Sequence, residues 1–302
     1  MAGKWHLGLS EGSRPNDHGF EDWFGFLAGC IDYYSHIFYW GMNRPGPGVN
    51  PTHDLWHNDE EVWANGRYFT EVITEKAIDY IRECACEEEP FFLYVGFNAP
   101  HYPMHAPQKY MDRFAHLPWD RQVMAAMMGA VDDGVGEIRA ELERQGILEN
   151  TVVYYQSDNG PSRETRNWLD GTLDPYYGGT AGKLKGHKFS LYEGGIRVPA
   201  LLSWPGNIPG GQVIDEVGAA TDVFPTLLRL ADVDVADYEV DGLDIWEMVT
   251  KQAATPHSDL FWEMDEQTAI RRGPWKLVLD GRLVEGAPPE DDVHLANLDK
   301  DM

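Results

Sequence analysis

Residues 90–101 read P-F-F-L-Y-V-G-F-N-A-P-H. The run is apolar without interruption, short, and closed by Asn, Ala and Pro. Its length suits a strand, and the lack of polar alternation predicts burial on both faces, as in a parallel sheet. Upstream, Phe69, Val72, Ile73, Ala77, Tyr80 and Ile81 follow helical spacing. Downstream, Val123, Met124, Met127, Val131, Ile138 and Leu142 do the same, with Gly146 as the stop. T-V-V-Y-Y-Q at 151–156 and V-P-A-L-L-S-W-P-G at 198–206 read as further strands. T-D-V-F-P-T-L-L-R-L-A-D-V at 221–233 reads as a capped helix starting near Thr221 or Asp222, with Pro225 in its first turn.

Strands alternating with helices predict an α/β fold, a largely parallel sheet flanked by helices. After residue 250 the pattern changes to short strand-like pieces with tight turns: F-W-E-M, A-I-R-R-G-P-W-K-L-V-L-D-G and R-L-V-E-G. They predict a small C-terminal antiparallel subdomain, dividing the chain at 1–250 and 251–302. Residues 10–65 are rich in Gly, Pro, Asn and aromatics, show little periodicity, and read as long loops packed on a core.

Composition bounds the function. The 302 residues suffice for a large domain plus a small one, and 43% apolar content is that of a globular chain. Fifty acids face 24 basic residues, of which nine are Lys, for a net charge of -26. Phosphate contacts need a basic surface, so nucleic-acid binding is excluded. A solvated acidic surface is the plain reading of this balance, and adaptation to high salt is the sharper one. An anionic substrate would need a locally basic pocket. No apolar run approaches ~18 residues, so no membrane span is expected. Cys30, Cys84 and Cys86 make neither a disulfide framework nor a zinc site. Glutamates beside Cys84 and Cys86 disfavour a thiolate nucleophile there.

In open α/β sheets, chemistry gathers beyond the carboxyl ends of the strands. His101 follows the first strand there, and S-D-N-G places Asp158 and Asn159 after the second. Adjacent Asp and Asn offer two oxygens to a hard cation, Ca²⁺ or Mg²⁺. Asp-Asn-Gly is equally a turn sequence, and on the tripeptide alone the turn is the better reading. His101 and His105 are four apart, but Pro100, Pro103 and Pro107 forbid the helix a zinc-protease motif needs. L-K-G-H-K-F-S-L-Y-E-G-G-I-R-V-P carries Lys188 beside a Gly-Gly pair that permits close chain approach. The opening M-A-G-K-W-H-L-G brackets Lys4 and His6 with glycines, like part of an anion site.

Taken in order, G-K-W-H-L-G, N-A-P-H-Y-P, S-D-N-G and K-F-S-L-Y-E-G-G-I-R-V-P resemble the type I sulfatase family of the alkaline-phosphatase superfamily. H-G-F-E-D-W-F-G-F-L-A-G-C-I-D-Y-Y resembles its aromatic loop, and A-I-R-R-G-P-W-K-L-V and L-A-N-L-D-K-D its C-terminal subdomain. The resemblance implies an alkaline-phosphatase-like fold and hydrolysis of aryl or carbohydrate sulfate esters. It implies that Lys4 steadies the nucleophile and His6 is the base on its hydroxyl. It also implies that His101 binds sulfate and acts as general acid, and that Lys188 bridges a sulfate oxygen and the leaving group. Asp158 and Asn159 become metal ligands, calcium being usual and magnesium the alternative.

The family's nucleophile is a formylglycine made from Cys in Cys-x-Pro-Ser-Arg. No cysteine here is followed by that pattern, and N-G-P-S-R at 159–163, with Asn159 in the Cys place, is a coincidence. The expectation is a chain that begins and ends inside a sulfatase and is inactive as it stands. The implied partner is a sulfated small molecule or glycan; compartment and oligomeric state stay open. Two alternatives remain: a non-catalytic protein binding sulfated glycans, and a phosphatase or phosphodiesterase of the same superfamily. The second would need further Asp and His metal ligands, which N-A-P-H and S-D-N-G do not supply.

Overall fold

The computed structural model describes residues 1–38, 51–164, 177–235 and 239–301. Part of the 10–65 stretch therefore lies outside the described residues. The chain divides into two compact units: Met1–Leu148 with Ser162–Thr180, and Glu149–Pro161 with Ala181–Met302. Its fold is α/β, a sheet with a parallel centre and flanking helices, plus a C-terminal antiparallel sheet of four strands.

In the first unit the strands are β1 (Ala2–Lys4), β2 (Phe24–Phe26), β3 (Ile37–Phe38), β4 (Thr52–His53), β5 (Trp56–His57), β6 (Glu60–Glu61) and β7 (Val95–Gly96). One sheet has the order β6-β5-β2-β1-β7, and β3 and β4 make a separate ribbon. The central strand β1 runs parallel to β2 and to β7, while β2–β5 and β5–β6 are antiparallel. Gly3 faces Gly25 on one side and Gly96 on the other. A Cβ on Gly3 would lie 2.1 Å from the Gly96 carbonyl oxygen, and one on Gly25 would lie 1.8 Å from that of Gly3. Only a row of glycines admits this approach of three backbones.

Three helices follow: α1 (Phe69–Cys84), α2 (Gln108–Arg113) and α3 (Trp119–Arg144). The six apolar positions that predicted α1 are all buried. In α3, Val123, Met127, Val131 and Leu142 are buried and Met124 and Ile138 partly so. Gly146, at φ 71°, follows its end as predicted. Helix α1 packs on α3 and on β1, β2 and β7. Phe26, Phe69, Ile73 and Met127 at this junction are fully buried, each contributing about 1.5–3 kcal/mol over exposure.

Two expectations change here. The 90–97 run pairs in parallel with β1, but it is half-buried: Phe92 is 65% and Tyr94 44% exposed. The reason is position: Phe92 and Tyr94 precede β7, which is the edge of its sheet among the described residues. Residues 10–65 are not all loop, because the strands β2 to β6 lie within them. Strands of two or three residues show no period, and pairing to β1 on one side and β5 on the other makes β2.

In the second unit β8 (Val153–Gln156) pairs antiparallel with β9 (Ala200–Ser203). Their apolar runs predict burial, but β8 is half-buried and β9 mostly exposed. Each has one strand neighbour among the described residues, so neither is enclosed by a sheet. The helices are α4 (Glu193–Ile196), α5 (Val223–Leu230) and α6 (Trp246–Lys251). Asp222 precedes α5 but does not cap it. Its carboxylate accepts the N–H groups of Ala219 and Leu243 and meets His257 Nε2 at 2.8 Å.

The C-terminal sheet is a meander of β10 (Leu260–Met264), β11 (Gln267–Arg272), β12 (Trp275–Gly281) and β13 (Asp291–Asn297). R-L-V-E-G is loop, and the fourth strand is Asp291–Asn297 instead. One face buries Ala269 and Val278 against Leu191 and Tyr192. Among the described residues no helix is long and apolar enough to cross a membrane.

Candidate active site

In the first unit the parallel strands aim their carboxyl ends at the predicted residues. Lys4 ends β1 opposite Phe26 of β2. Beyond it the chain keeps to β2: Trp5 N–H donates to the Phe26 carbonyl at 3.0 Å and His6 N–H to that of Leu27 at 3.2 Å. His6 is exposed and has φ 60°, the left-handed region that a non-glycine residue enters at a cost of about 1–3 kcal/mol. Its ring lies over Gly29, where a Cβ would come within 2.7 Å of Nε2.

His101 stands five residues past the end of β7, beside β1. Its N–H donates to the Asn98 carbonyl at 2.8 Å. Nδ1 sits 3.0 Å from the Tyr102 carbonyl oxygen. A carbonyl only accepts, so Nδ1 carries the proton and exchange with a ligand falls to Nε2. Two tyrosines outside the predicted set pin this loop. Tyr33 donates its hydroxyl to the His101 carbonyl at 3.0 Å, and Tyr68 to that of His105 at 2.9 Å. The two rings stack at 5.3 Å. Burial pushes both phenols well up, so they remain donors. His105 Nδ1 lies 3.4 Å from Asp32 Oδ2. Burial pushes the Asp32 carboxyl up, but the Ser35 and Tyr34 N–H groups, the Ser35 hydroxyl and His105 outweigh it and hold it below its ordinary value.

In the second unit Asp158 and Asn159 follow the end of β8. Asp158 Oδ1 accepts the Asn159 N–H at 2.9 Å, and the chain bends over 158–160, where Asp-Asn-Gly predicts a turn. The Asn159 amide Nδ2 donates to the Gly160 carbonyl at 2.9 Å, which leaves Oδ1 as its metal-type donor. Lys188 is placed beside this turn, its N–H bonded to the Pro161 carbonyl at 2.9 Å. Its Nζ is 5.0 Å from the Phe189 ring.

Three segments stack here backbone on backbone. Gly160 N–H donates to the Gly195 carbonyl at 2.8 Å, and Gly194 N–H to the Lys185 carbonyl at 2.7 Å. A Cβ on Gly160 would lie 1.8 Å from the Gly194 oxygen. So the Gly-Gly pair holds the Asp158 turn and the Lys188 loop in register with no side chain between them.

The donor chemistry fits a hard cation in kind. Asp158 and Asn159 present a carboxylate and an amide oxygen, and no soft ligand stands with them. In number the set is short: among the described residues no group of three or more His, Cys, Asp or Glu is placed to hold a metal. As ligands these two residues would make only one part of a coordination shell, with one negative charge.

The family model described as Sulfatase matches residues 1–233. Arylsulfatase J of Mus musculus is 33% identical over 281 residues, covering 91% of this chain and 44% of its own length. N-acetylgalactosamine-6-sulfatase of the same species is 30% identical over 288 residues, covering 92% and 51%. Among solved structures, Ps i-CgsB in complex with k-i-k-neocarrahexaose superposes with TM-score 0.80 at 29% identity, over 99% of this chain and 64% of that one. The chain thus spans about half the length of the relatives it matches.

Proposed function

The chain belongs to the sulfatase family, and from that premise we propose that it serves the hydrolysis of sulfate esters, on an aryl or carbohydrate substrate. The observation that carries the reading is the placement of Lys4, His6 and His101 beyond the carboxyl ends of two adjacent parallel strands. Sulfuryl transfer spreads negative charge over the sulfate and leaving oxygens, and cations aimed at those atoms stabilise it. Lys4 and Lys188 supply fixed positive charge. His101, with Nδ1 committed to the Tyr102 carbonyl, gives or takes its proton at Nε2 and so serves as the acid toward the leaving oxygen. His6 is the base. Asp158 and Asn159 would hold calcium, which would polarise a sulfate oxygen.

The sequence does not fit the family's formylglycine, since no Cys or Ser in it begins an x-Pro-Ser-Arg motif. No step is therefore derived through that group. This favours a second reading for the 302-residue chain: binding of sulfate without turnover. Calorimetry with inorganic sulfate, beside an assay on a chromogenic aryl sulfate with calcium, tests both. Sulfate should bind, and Lys188→Ala should weaken it about tenfold, the worth of one charge-assisted hydrogen bond. Sulfate binding indifferent to both Lys4→Ala and Lys188→Ala would sink the site. Turnover abolished by Lys188→Ala would sink the second reading.

A further inference from the structure

Strand β12 carries a lysine on the wrong face for a charge. Lys276 is 2% exposed, and its Nζ lies 3.9 Å from the centroid of the Trp262 ring. It also lies 3.4 Å from Glu193 Oε1, within ion-pair range but without hydrogen-bond geometry. Glu193 is itself buried and opens α4. Its other oxygen lies 3.4 Å from Arg271 Nη1 and 3.9 Å from Arg197 Nη1. Arg271 is directly across the ladder from Lys276. The C-terminal sheet thus supplies two of the cations around one buried carboxylate.

That carboxylate adjoins the Gly194–Gly195 pair. These are the residues whose backbone holds Gly160 and Lys185, and Pro161 in turn holds Lys188. With no side chains in the stack, a shift at Glu193 passes directly to both loops. Gln267 makes a second tie from the same sheet, donating to the Phe189 carbonyl at 3.0 Å and accepting the Leu191 N–H at 3.3 Å.

We propose that Lys276 is a positioning residue, which through Glu193 sets the register of the Asp158–Asn159 turn and the Lys188 loop. The proposal rests on the sulfatase reading for what those loops do, but its geometry lies wholly within the second unit. The charged groups facing the pair are Arg271 and Arg197, and beyond Tyr192 lie Lys185, Asp291 and His294. Burial lowers the Lys276 ammonium to about 8, against the opposing pull of Glu193. Both arginines keep their charge across that range. Alkaline pH therefore withdraws one cation from Glu193 and leaves the guanidiniums to draw it aside.

The test uses the full chain and no substrate. Backbone amide resonances of Gly160, Lys188, Gly194 and Gly195 are followed from pH 6.5 to 9.5. They should share one step with a midpoint near 8. In Lys276→Arg, which stays charged, the step should vanish and the resonances should hold their acid-end positions. In Lys276→Met they should hold the alkaline-end positions throughout. Absence of a shared step in the wild type, or a step that survives in Lys276→Arg, overturns the proposal. Should Lys276→Met fail to fold, the comparison with Lys276→Arg decides alone. Sulfate binding indifferent to both Lys4→Ala and Lys188→Ala would instead overturn the functional reading, and it leaves these resonances untouched.

Discussion

Tyr33 is fully buried, and its hydroxyl serves the His101 carbonyl. Tyr33→Phe keeps the ring stacked on Tyr68 and strands that carbonyl. Urea unfolding should register a loss of about 1–2 kcal/mol, the usual cost of one buried unpaired group. Two glycines make a sharper contrast. A methyl at Gly29 meets the far end of a side chain, the His6 ring, while one at Gly160 meets the Gly194 backbone oxygen. Gly29→Ala should therefore cost under about 1 kcal/mol and displace the His6 ring, seen as a shift of its proton resonances. Gly160→Ala should cost about 3 kcal/mol, at the upper end of overpacking penalties, because neither backbone can yield. Equal losses in the two variants would refute the stacked-backbone account. His6, His101 and Lys188 are candidates by motif. The motifs pass over Gly29 and Tyr68, because what they touch is far from them in the chain.

At the scale of elements, strand β12 inverts its own pattern. W-K-L-V-L alternates so that Trp275, Leu277 and Leu279 share one face and Lys276 and Val278 the other. Hydrophobicity alone would turn the first face inward. The structure buries the second, because Glu193 gives Lys276 a counter-charge and Tyr192 packs against Val278. The cost shows in the pH dependence. The folded Lys276 titrates at about 8 against 10.5 for the unfolded group. Between those values the unfolded chain holds a proton that the folded chain has released. Stability from this group therefore rises with pH across that window, by about 3 kcal/mol in all. Subtracting the unfolding free energy of Lys276→Met from that of wild type, at each pH, should isolate the rise. A flat difference would contradict the burial of the charge.

Across the whole molecule, the outward face of the C-terminal sheet is apolar: Phe261 is 71% and Leu295 62% exposed, with Val293 and Trp275 on the same side. Such a patch favours association. Phe261→Glu with Leu295→Lys should raise the concentration at which the chain stays monodisperse in light scattering, without lowering its melting temperature. Calcium is a second test at this scale. Among the described residues Asp158 and Asn159 offer two oxygens with one charge, short of the six to eight that calcium takes, and a chain of net charge -26 binds it diffusely. Calorimetry should show no tight component once an Asp158→Ala titration is subtracted. A stoichiometric tight site lost in that variant would show that the shell is fuller than Asp158 and Asn159 make it.

Helices α1 and α3, the antiparallel meander and the family can all be read from the amino-acid order, because each rests on local information. Helical spacing over many residues states which face is inside, and a motif states which residue types stand together. The candidate set, from Lys4 to Lys188, rests on motif in the same way. Folding in three dimensions made β2, a three-residue strand held between its partners β1 and β5. It alone decided the exposure of Phe92 and Tyr94, since the apolar run 90–97 cannot say whether its strand lies at the centre or the edge of a sheet. And it alone chose the buried face of β12, where a carboxylate some eighty residues earlier outweighs the apolar pattern. Burial is a property of what comes to lie against a residue, and for these segments that neighbour is remote in sequence.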